Sequence, residues 1–166
     1  MTHYEKTPCS RCGLNAERVF NLFVANFRGR ELPRPPVYHF PTMPDPRLLE
    51  CFENPQPDRP YVIEHRAAEF TSLCPRTGQP DFGAITLRFS PNRLCVELKS
   101  LKLYLQSFRN EGSFYEAVTN RIRDDLAAAM QPRWLQITAD FAGRGGITSR
   151  VTAQMGEVPG PYIQPL

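Results

Sequence analysis

The chain has 166 residues, the length of one ordinary domain, and its composition of 41% hydrophobic and 11% aromatic residues supports a core rather than disorder. The net charge of +3 is mild, and no run of Lys or Arg forms a basic stripe. A small anionic ligand fits this balance better than a polynucleotide does.

The chain also lacks the signals of a membrane or secreted protein. No apolar run approaches the ~20 residues that span a bilayer, and the first residues, MTHYEKTPCSRCG, have no hydrophobic centre like that of a signal peptide. We therefore expect a cytosolic protein with reduced thiols. The odd number of cysteines argues against a disulfide framework. They are Cys9, Cys12, Cys51, Cys74 and Cys95.

Proline divides the chain into two parts. Ten of the 17 prolines lie in the first 60 residues, where they disfavour continuous helices and interior strands. We predict an irregular or wrapping extension over residues 1–60, with one short element at residues 17–27. The ordered domain is expected to cover residues 61–166.

Alternating apolar residues predict the strands. Residues 82–89 alternate, a turn follows at residues 90–92, and residues 94–98 alternate again, which predicts an antiparallel hairpin. Leu135 to Phe141 alternate as well, and Gly145-Gly146 turns the chain into a last strand at residues 147–151.

Three- and four-residue spacing predicts two helices between these strand pairs. The first covers residues 99–109, and the second runs from a predicted capping box, Ser113 to Glu116, as far as Pro132. The order β-β-α-α-β-β is an α+β layout, an antiparallel sheet with both helices on one face. Its sheet edges favour oligomerisation.

The densest candidate for chemistry is FTSLCPRTGQPDFG, residues 70–83. Its prolines and Gly78 restrict the loop, which could hold the Cys74 thiol and the Asp81 carboxyl in a fixed relation. A positive or dipolar neighbourhood would make Cys74 a thiolate nucleophile. The alternative is a buried structural cysteine beside an aspartate that starts a strand.

The second candidate segment is CVELKSLKLY, residues 95–104. Glu97 ends a strand, and Lys99 and Lys102 share one face at the start of a helix. Two ammonium groups at a helix N-terminus are typical of a phosphate site. A solvated basic face is the alternative.

Together the two segments resemble the 7-cyano-7-deazaguanine reductases of the short, single-module type. The family motif is Glu, a small or aliphatic residue, Lys, a small residue, an aliphatic one, Lys, then an aliphatic and an aromatic. Residues 97–104, ELKSLKLY, match it in full, and the resemblance extends over about residues 61–152, ending in FAGRGGITSRV.

The resemblance implies an NADPH-dependent nitrile reductase of queuosine biosynthesis, a pathway of tRNA modification. Cys74 falls on the family's nucleophile, which forms a covalent thioimide, and Asp81 on its proton donor. Two NADPH would complete the reduction of the free base to 7-aminomethyl-7-deazaguanine, without direct contact to nucleic acid.

Further positions match the family's binding residues. Glu116 falls on the carboxylate that reads the guanine-like edge, and Tyr115 stands where well-known members have His, which puts an acid–base role there in doubt. The implied substrate contacts are Val96, Glu97, Leu98, Tyr115 and Glu116. The implied cofactor contacts are Leu98, Lys99, Lys102, Arg144 and Gly145.

The resemblance also implies the tunnelling fold, in which α+β subunits form a ring, here two stacked rings with sites between subunits. Rival hypotheses are an amidinotransferase of this fold that acts on the nitrile in tRNA, a zinc-dependent cyclohydrolase of the pterin pathway, and a purine-binding module without turnover. A zinc or interaction module at Cys9–Cys12 is a further alternative, although a single C-x-x-C lacks the other two ligands and we expect no metal.

Overall fold

The structure is a computed structural model that describes residues 43–160. The predicted element at residues 17–27 and the Cys9–Cys12 pair lie outside this range. The described elements, in chain order, are a 3-10 turn (Pro46–Leu48), β1 (Cys51–Glu53), β2 (Ile63–Leu73), β3 (Pro80–Ser90), β4 (Leu94–Val96), α1 (Leu98–Gln106), a second 3-10 turn (Ser107–Asn110), α2 (Tyr115–Met130), β5 (Trp134–Arg144) and β6 (Ile147–Met155).

The main sheet has four antiparallel strands in the order β2-β3-β5-β6. Two of these strands precede the helices and two follow them, and the predicted α+β class is confirmed. The order before the helices differs from the predicted β-β, because β1 and β2 were not predicted and four strands precede α1. In the part of the chain that the structure describes, no helix is long and apolar enough to cross a membrane.

The predicted hairpin between residues 82–89 and 94–98 is wrong. Both edges of β3 are occupied, by β2 and by β5, each of 11 residues. The short β4 instead pairs with β1 in a separate two-stranded ribbon, where Cys51 lies opposite Val96. Alternation correctly identified the buried faces of β3 and β5, but it does not specify the partner strand.

Both helices pack on one face of the main sheet, as predicted. Aromatic and aliphatic side chains from β2, β3 and β5 meet the apolar stripes of the helices there. The helical contribution comes from Leu101, Tyr104, Leu105, Val118, Ile122, Leu126 and Met130, which are all buried.

The opposite face of the sheet is polar. The carboxylate of Asp140 on β5 accepts from Arg150 on β6 at 2.5 Å. On the same face of these two strands, the hydroxyl oxygens of Thr138 and Thr152 are 3.4 Å apart. Cross-strand polar pairs of this kind suit a face in contact with water.

The predicted capping box at the second helix is also wrong. Phe114 is the N-cap of α2 and makes no side-chain cap, while the Ser113 hydroxyl is directed at the carbonyl of Phe114 at 3.4 Å. The main-chain N–H of Ser113 donates instead to Leu73 at 3.1 Å. This long-range contact fixes Ser113 in a way that a local motif does not reveal.

Part of the Pro-rich extension joins the fold. Asp45 caps the 3-10 turn at Pro46–Leu48, and β1 pairs with β4. Neither this turn nor β1 was predicted from the sequence. Leu48 and Leu49 pack against the core. The division of the chain at residues 60 and 61 stays a prediction.

Candidate active site

Cys74 lies in a tight loop between β2 and β3. Its main-chain N–H donates to Gln79 at 2.8 Å, and its carbonyl accepts from Gly78 at the same distance. Gly78 has a φ of +69°, a left-handed conformation that side chains rarely adopt. The predicted restriction of this loop is therefore confirmed, and it places the sulfur at the end of the sheet.

The thiol of Cys74 is surrounded by hydrogen-bond donors. The hydroxyl of Thr77, followed by the guanidinium of Arg144 and the main-chain N–H groups of Arg76 and Thr77, lowers the pKa of Cys74 to about 6. A thiolate is then the main form at neutral pH, and the thiolate is the nucleophilic form. Burial raises the pKa of Cys51 and Cys95, so these two thiols stay protonated.

Asp81 is the buried carboxyl of the site, with 3% of its surface exposed. It lies opposite Ser72 in the ladder of β2 and β3. The Tyr115 hydroxyl donates to its Oδ1 at 2.7 Å, and Arg144 forms an ion pair with the same oxygen. Such charge-assisted bonds hold a buried carboxyl in one orientation.

A bulge in β5 directs Arg144 towards this cluster. Phe141 pairs with Ser149 and Arg144 with Ile147, so β5 contains one more residue than β6 over this stretch. The extra residue shifts the alternation, and Arg144 lies on the helix-covered face together with Phe141. Its side chain there contacts both Asp81 and Cys74.

Tyr115, the first residue of α2, is fixed by stacking. Its ring lies parallel to that of Phe141, with a centroid distance of 3.7 Å and an interplanar angle of 6°. Gly83 lies beside Phe141 in the sheet, and a Cβ there would come within 2.7 Å of the Asp140 carbonyl. The glycine therefore allows close packing below the stacked rings.

The main chain connects the Cys74 loop to the start of α2. Leu73 donates to the carbonyl of Glu111 at 2.9 Å and accepts from Ser113, forming an isolated parallel bridge with Gly112. The nucleophile loop and Tyr115 are thus held together although they are about 40 positions apart in sequence.

The start of α1 has a different arrangement from the one predicted. The carboxylate of Glu97 accepts from the main-chain N–H groups of Lys99 and Ser100, at 2.8 and 2.7 Å. These bonds lower the pKa of Glu97. Because these two N–H groups are occupied, the side chains of Lys99 and Lys102 are better candidates than the main chain to attract phosphate groups here.

A cleft of about 410 Å³ runs between β2 and α1. Leu98 and Lys102, both predicted cofactor contacts, line it, whereas Cys74 and Asp81 do not. Arg66 and Arg109 contribute further positive charge, against one carboxylate, that of Glu69. The cleft therefore combines apolar walls with cations, which suits an amphipathic anion.

The predicted site residues thus fall into two groups. Cys74, Asp81, Tyr115 and Arg144 meet in one cluster, and Gly145 follows Arg144 in the exposed turn.

The second group lies at the start of α1. The nine residues of this helix, roughly 13 Å long, and a four-residue 3-10 turn come between its start and the segment that contacts Leu73. Val96 is buried in the core, and Leu98 is more than half exposed. Glu116 is exposed on the first turn of α2.

Sequence reasoning missed Thr77, Phe141 and Gly83. Thr77 lies three residues after the predicted nucleophile, and a hydroxyl so close in sequence could have indicated a hydrogen-bond donor to the thiol. Phe141 was recognised only as an apolar strand residue. Within residues 43–160, no three His, Cys, Asp or Glu side chains come together as metal ligands.

Comparison with known proteins identifies the fold. A family described as "QueF-like protein" matches residues 80–159. A solved structure of an archaeosine synthase QueF-like protein in its apo form superposes with a TM-score of 0.57 at 20% identity, covering 61% of this chain and all of that one. The fold is therefore the tunnelling fold, with a cysteine and a carboxyl at the end of its sheet.

Relatives define the family more narrowly. The NADPH-dependent 7-cyano-7-deazaguanine reductase of Anaeromyxobacter sp. strain K is 61% identical over 119 residues, which cover 72% of this chain and 97% of the relative. The proteins of that name from Rhodopirellula baltica and Alkalilimnicola ehrlichii are 58% and 52% identical, covering 62% and 70% of this chain and 85% and 92% of theirs. The chain belongs to the family of NADPH-dependent 7-cyano-7-deazaguanine reductases.

Proposed function

We propose that this protein reduces the nitrile of free 7-cyano-7-deazaguanine to the aminomethyl group, with two NADPH and a covalent intermediate on Cys74. The observation that carries the proposal is the pairing of an acidic thiol with the buried carboxyl of Asp81, bridged by Arg144. Relatives with this activity in their names, at about 60% identity, support the substrate and the cofactor.

The first step needs only groups of this cluster. The Cys74 thiolate attacks the nitrile carbon and forms a C–S bond, while one π-electron pair moves to nitrogen. Asp81 donates a proton to that nitrogen, which gives a neutral thioimide. The proton comes from the Cys74 thiol: Asp81 accepts it as the thiolate forms and then passes it to the nitrogen, so the step adds S–H across the triple bond and needs no further acid.

NADPH, when bound, supplies a hydride in each of two reduction steps. Between them the C–S bond breaks, and the departing thiolate returns to the environment of Thr77 and Arg144 that stabilises it. Attachment to Cys74 retains the base until the first reduction is complete. The low pKa of the thiol makes it a good leaving group as well as a good nucleophile.

The residues proposed to hold NADPH are Leu98, Lys99 and Lys102 of α1, together with Arg144 and Gly145 of the β5–β6 turn. The ammonium groups attract the phosphates, and Leu98 offers an exposed apolar surface to a ring. For the substrate, Glu116 is proposed to accept from the guanine-like edge as a bidentate carboxylate, with Val96, Glu97 and Leu98 lining the base.

The start of α1 and the Cys74 cluster lie apart in one subunit. We therefore propose that the complete site forms between copies of the chain in a ring, and mixed oligomers of two inactive variants test this proposal. Cys74→Ala and Lys102→Ala variants are each expected to be inactive. Mixed oligomers of the two should recover part of the activity, because some sites would then contain both intact groups. No recovery in verified mixed oligomers would place the complete site in a single subunit.

The nucleophile is tested by mass spectrometry of the protein mixed with the cyano base in the absence of NADPH. We expect an adduct of the mass of the base on the peptide that contains Cys74. It should be absent from Cys74→Ala and present in Cys51→Ala, the matched control. NADPH absorbance should fall when the base is added to the wild type; a flat trace with folded protein would favour a transferase of the same fold instead.

A further inference from the structure

The hydroxyl of Tyr115 is bonded to the proposed proton donor, Asp81. It donates to Asp81 Oδ1 at 2.7 Å, and its ring lies flat on Phe141. Burial, followed by the bond to Asp81, raises the pKa of Tyr115, so the hydroxyl remains a donor throughout the neutral range. These contacts differ from those of a residue free to bind the substrate through its hydroxyl.

We infer that Tyr115 and Phe141 are positioning residues for Asp81, which hold its carboxyl so that Oδ2 is the oxygen that delivers the proton. This inference rests on the proposed function. Tyr115 donates to Oδ1, and the ion pair with Arg144 is formed at the same oxygen, while within residues 43–160 no side chain donates a hydrogen bond to Oδ2. A carboxyl with one oxygen held by two donors has a defined free oxygen.

Phe141 contributes by fixing the plane of the tyrosine ring. It is 3% exposed, and Phe70 packs against it in a T-shaped arrangement with ring centroids 6.5 Å apart. The backbone of Tyr115 is fixed in turn, because its carbonyl accepts from the Thr119 hydroxyl at 2.7 Å. The hydroxyl therefore has little freedom to leave Asp81.

The arrangement also couples the proton donor to the thiol. Arg144 is shared between Asp81 and Cys74. If Asp81 loses the Tyr115 hydroxyl, it binds Arg144 more strongly, and Cys74 loses part of its stabilisation. The charged side chain that faces the thiol is Arg144 from β5, which also pairs with Asp81 from β3. Arg76 of the Cys74 loop contributes its main-chain N–H, and Glu111 is directed at Arg121 at 3.8 Å.

Tyr115→Phe tests the inference because it keeps the stacked ring and removes only the hydroxyl. We expect kcat to fall about tenfold to a hundredfold, as for a misplaced catalytic group. Affinity for the cyano base, measured on Cys74→Ala with and without Tyr115→Phe, should stay within about twofold. Phe141→Leu, which keeps the hydroxyl but removes the stack, should lower kcat with the same unchanged affinity.

Tyr104→Phe is the matched control. Tyr104 donates to Asp125 at 2.6 Å, so this substitution also removes a tyrosine–carboxylate bond, but away from the Cys74 cluster. It should reduce stability and leave kcat unchanged in protein that is still folded. An equal loss of kcat in this variant, or a weakened affinity with unchanged kcat in Tyr115→Phe, would overturn the inference.

A second readout does not depend on turnover. The rate at which iodoacetamide alkylates the Cys74 peptide is followed against pH, and its midpoint should move to higher pH in Tyr115→Phe. An unchanged midpoint would refute the coupling. If the wild type consumes no NADPH with the cyano base, the proposed function fails, whereas this profile still shows whether Tyr115, Asp81, Arg144 and Cys74 act together.

Discussion

Glu97 caps the helix on which Lys99 lies, and it does so by accepting the main-chain N–H of Lys99 itself at 2.8 Å. The residue was predicted to contact the substrate, so it has two candidate roles that its substitution can separate.

Glu97→Ala should lower the melting temperature, because two N–H groups at the start of α1 lose their acceptor. Glu97→Asp should keep much of the stability, since aspartate is a good N-cap. The pKa of Glu97 is lowered in the folded state. The stability that its carboxylate contributes is therefore present at neutral pH and is lost as the pH falls through the folded-state pKa. Thermal melts of the wild type and Glu97→Ala at pH 7 and at about pH 3 measure this difference. An equal drop in melting temperature at both pH values would contradict the capping role of Glu97.

The acidity of Cys74 should depend on Thr77 and Arg144. With a pKa of about 6 in the wild type, alkylation of Cys74 should already be near its maximal rate at pH 7. Thr77→Val and Arg144→Met each remove a donor, so the midpoint should move towards the ordinary thiol value of about 8.5. Arg93→Met serves as the control for a general loss of positive charge, and its midpoint should equal that of the wild type.

Gly83→Ala should be strongly destabilising. A Cβ there would lie 2.7 Å from the carbonyl oxygen of Asp140, a main-chain atom, and 3.1 Å from the ring of Phe141. Overpacking of this kind costs roughly 1–3 kcal/mol. In Gly112→Ala the nearest atom would lie at an ordinary 3.5 Å, so this control should unfold like the wild type in urea. Equal stability of the two variants would refute the close packing at β5.

Gln131→Gly should stabilise the protein. Gln131 ends α2 with a φ of +48°, a left-handed conformation that costs a side chain roughly 1–2 kcal/mol and costs glycine little. The same change at Gln106, the last residue of α1, should destabilise by about 1 kcal/mol, because its φ of −67° is right-handed. Urea unfolding of both variants compares the two signs directly.

The sequence predicted the parts of the fold that local periodicity encodes. Both helices, the alternation in β3 and β5, and the turn at Gly145-Gly146 were predicted. The partner of β3 was not, because alternation defines a buried face and carries no information about which strand lies beside it. The role of Ser113 was misassigned for a similar reason, since its N–H donates to Leu73, 40 positions earlier.

For the candidate site, the motif identified Cys74 and Asp81 but not how they are connected. The contact of Arg144 with both depends on one extra residue in β5, and a bulge leaves little trace in a single sequence. The stacking of Tyr115 on Phe141 likewise depends on tertiary packing, so tyrosine at this position could be assigned only by resemblance.

The position of Arg144 late in the chain has a consequence for the acidity of Cys74 during synthesis. A nascent chain that has not yet reached β5 lacks the guanidinium that helps to acidify Cys74. Its sulfur is then closer to an ordinary thiol, which reacts slowly with peroxides and other oxidants. We expect the full acidity of Cys74 only once the C-terminal hairpin has joined the sheet, so a chain that ends before Arg144 should have a less reactive sulfur.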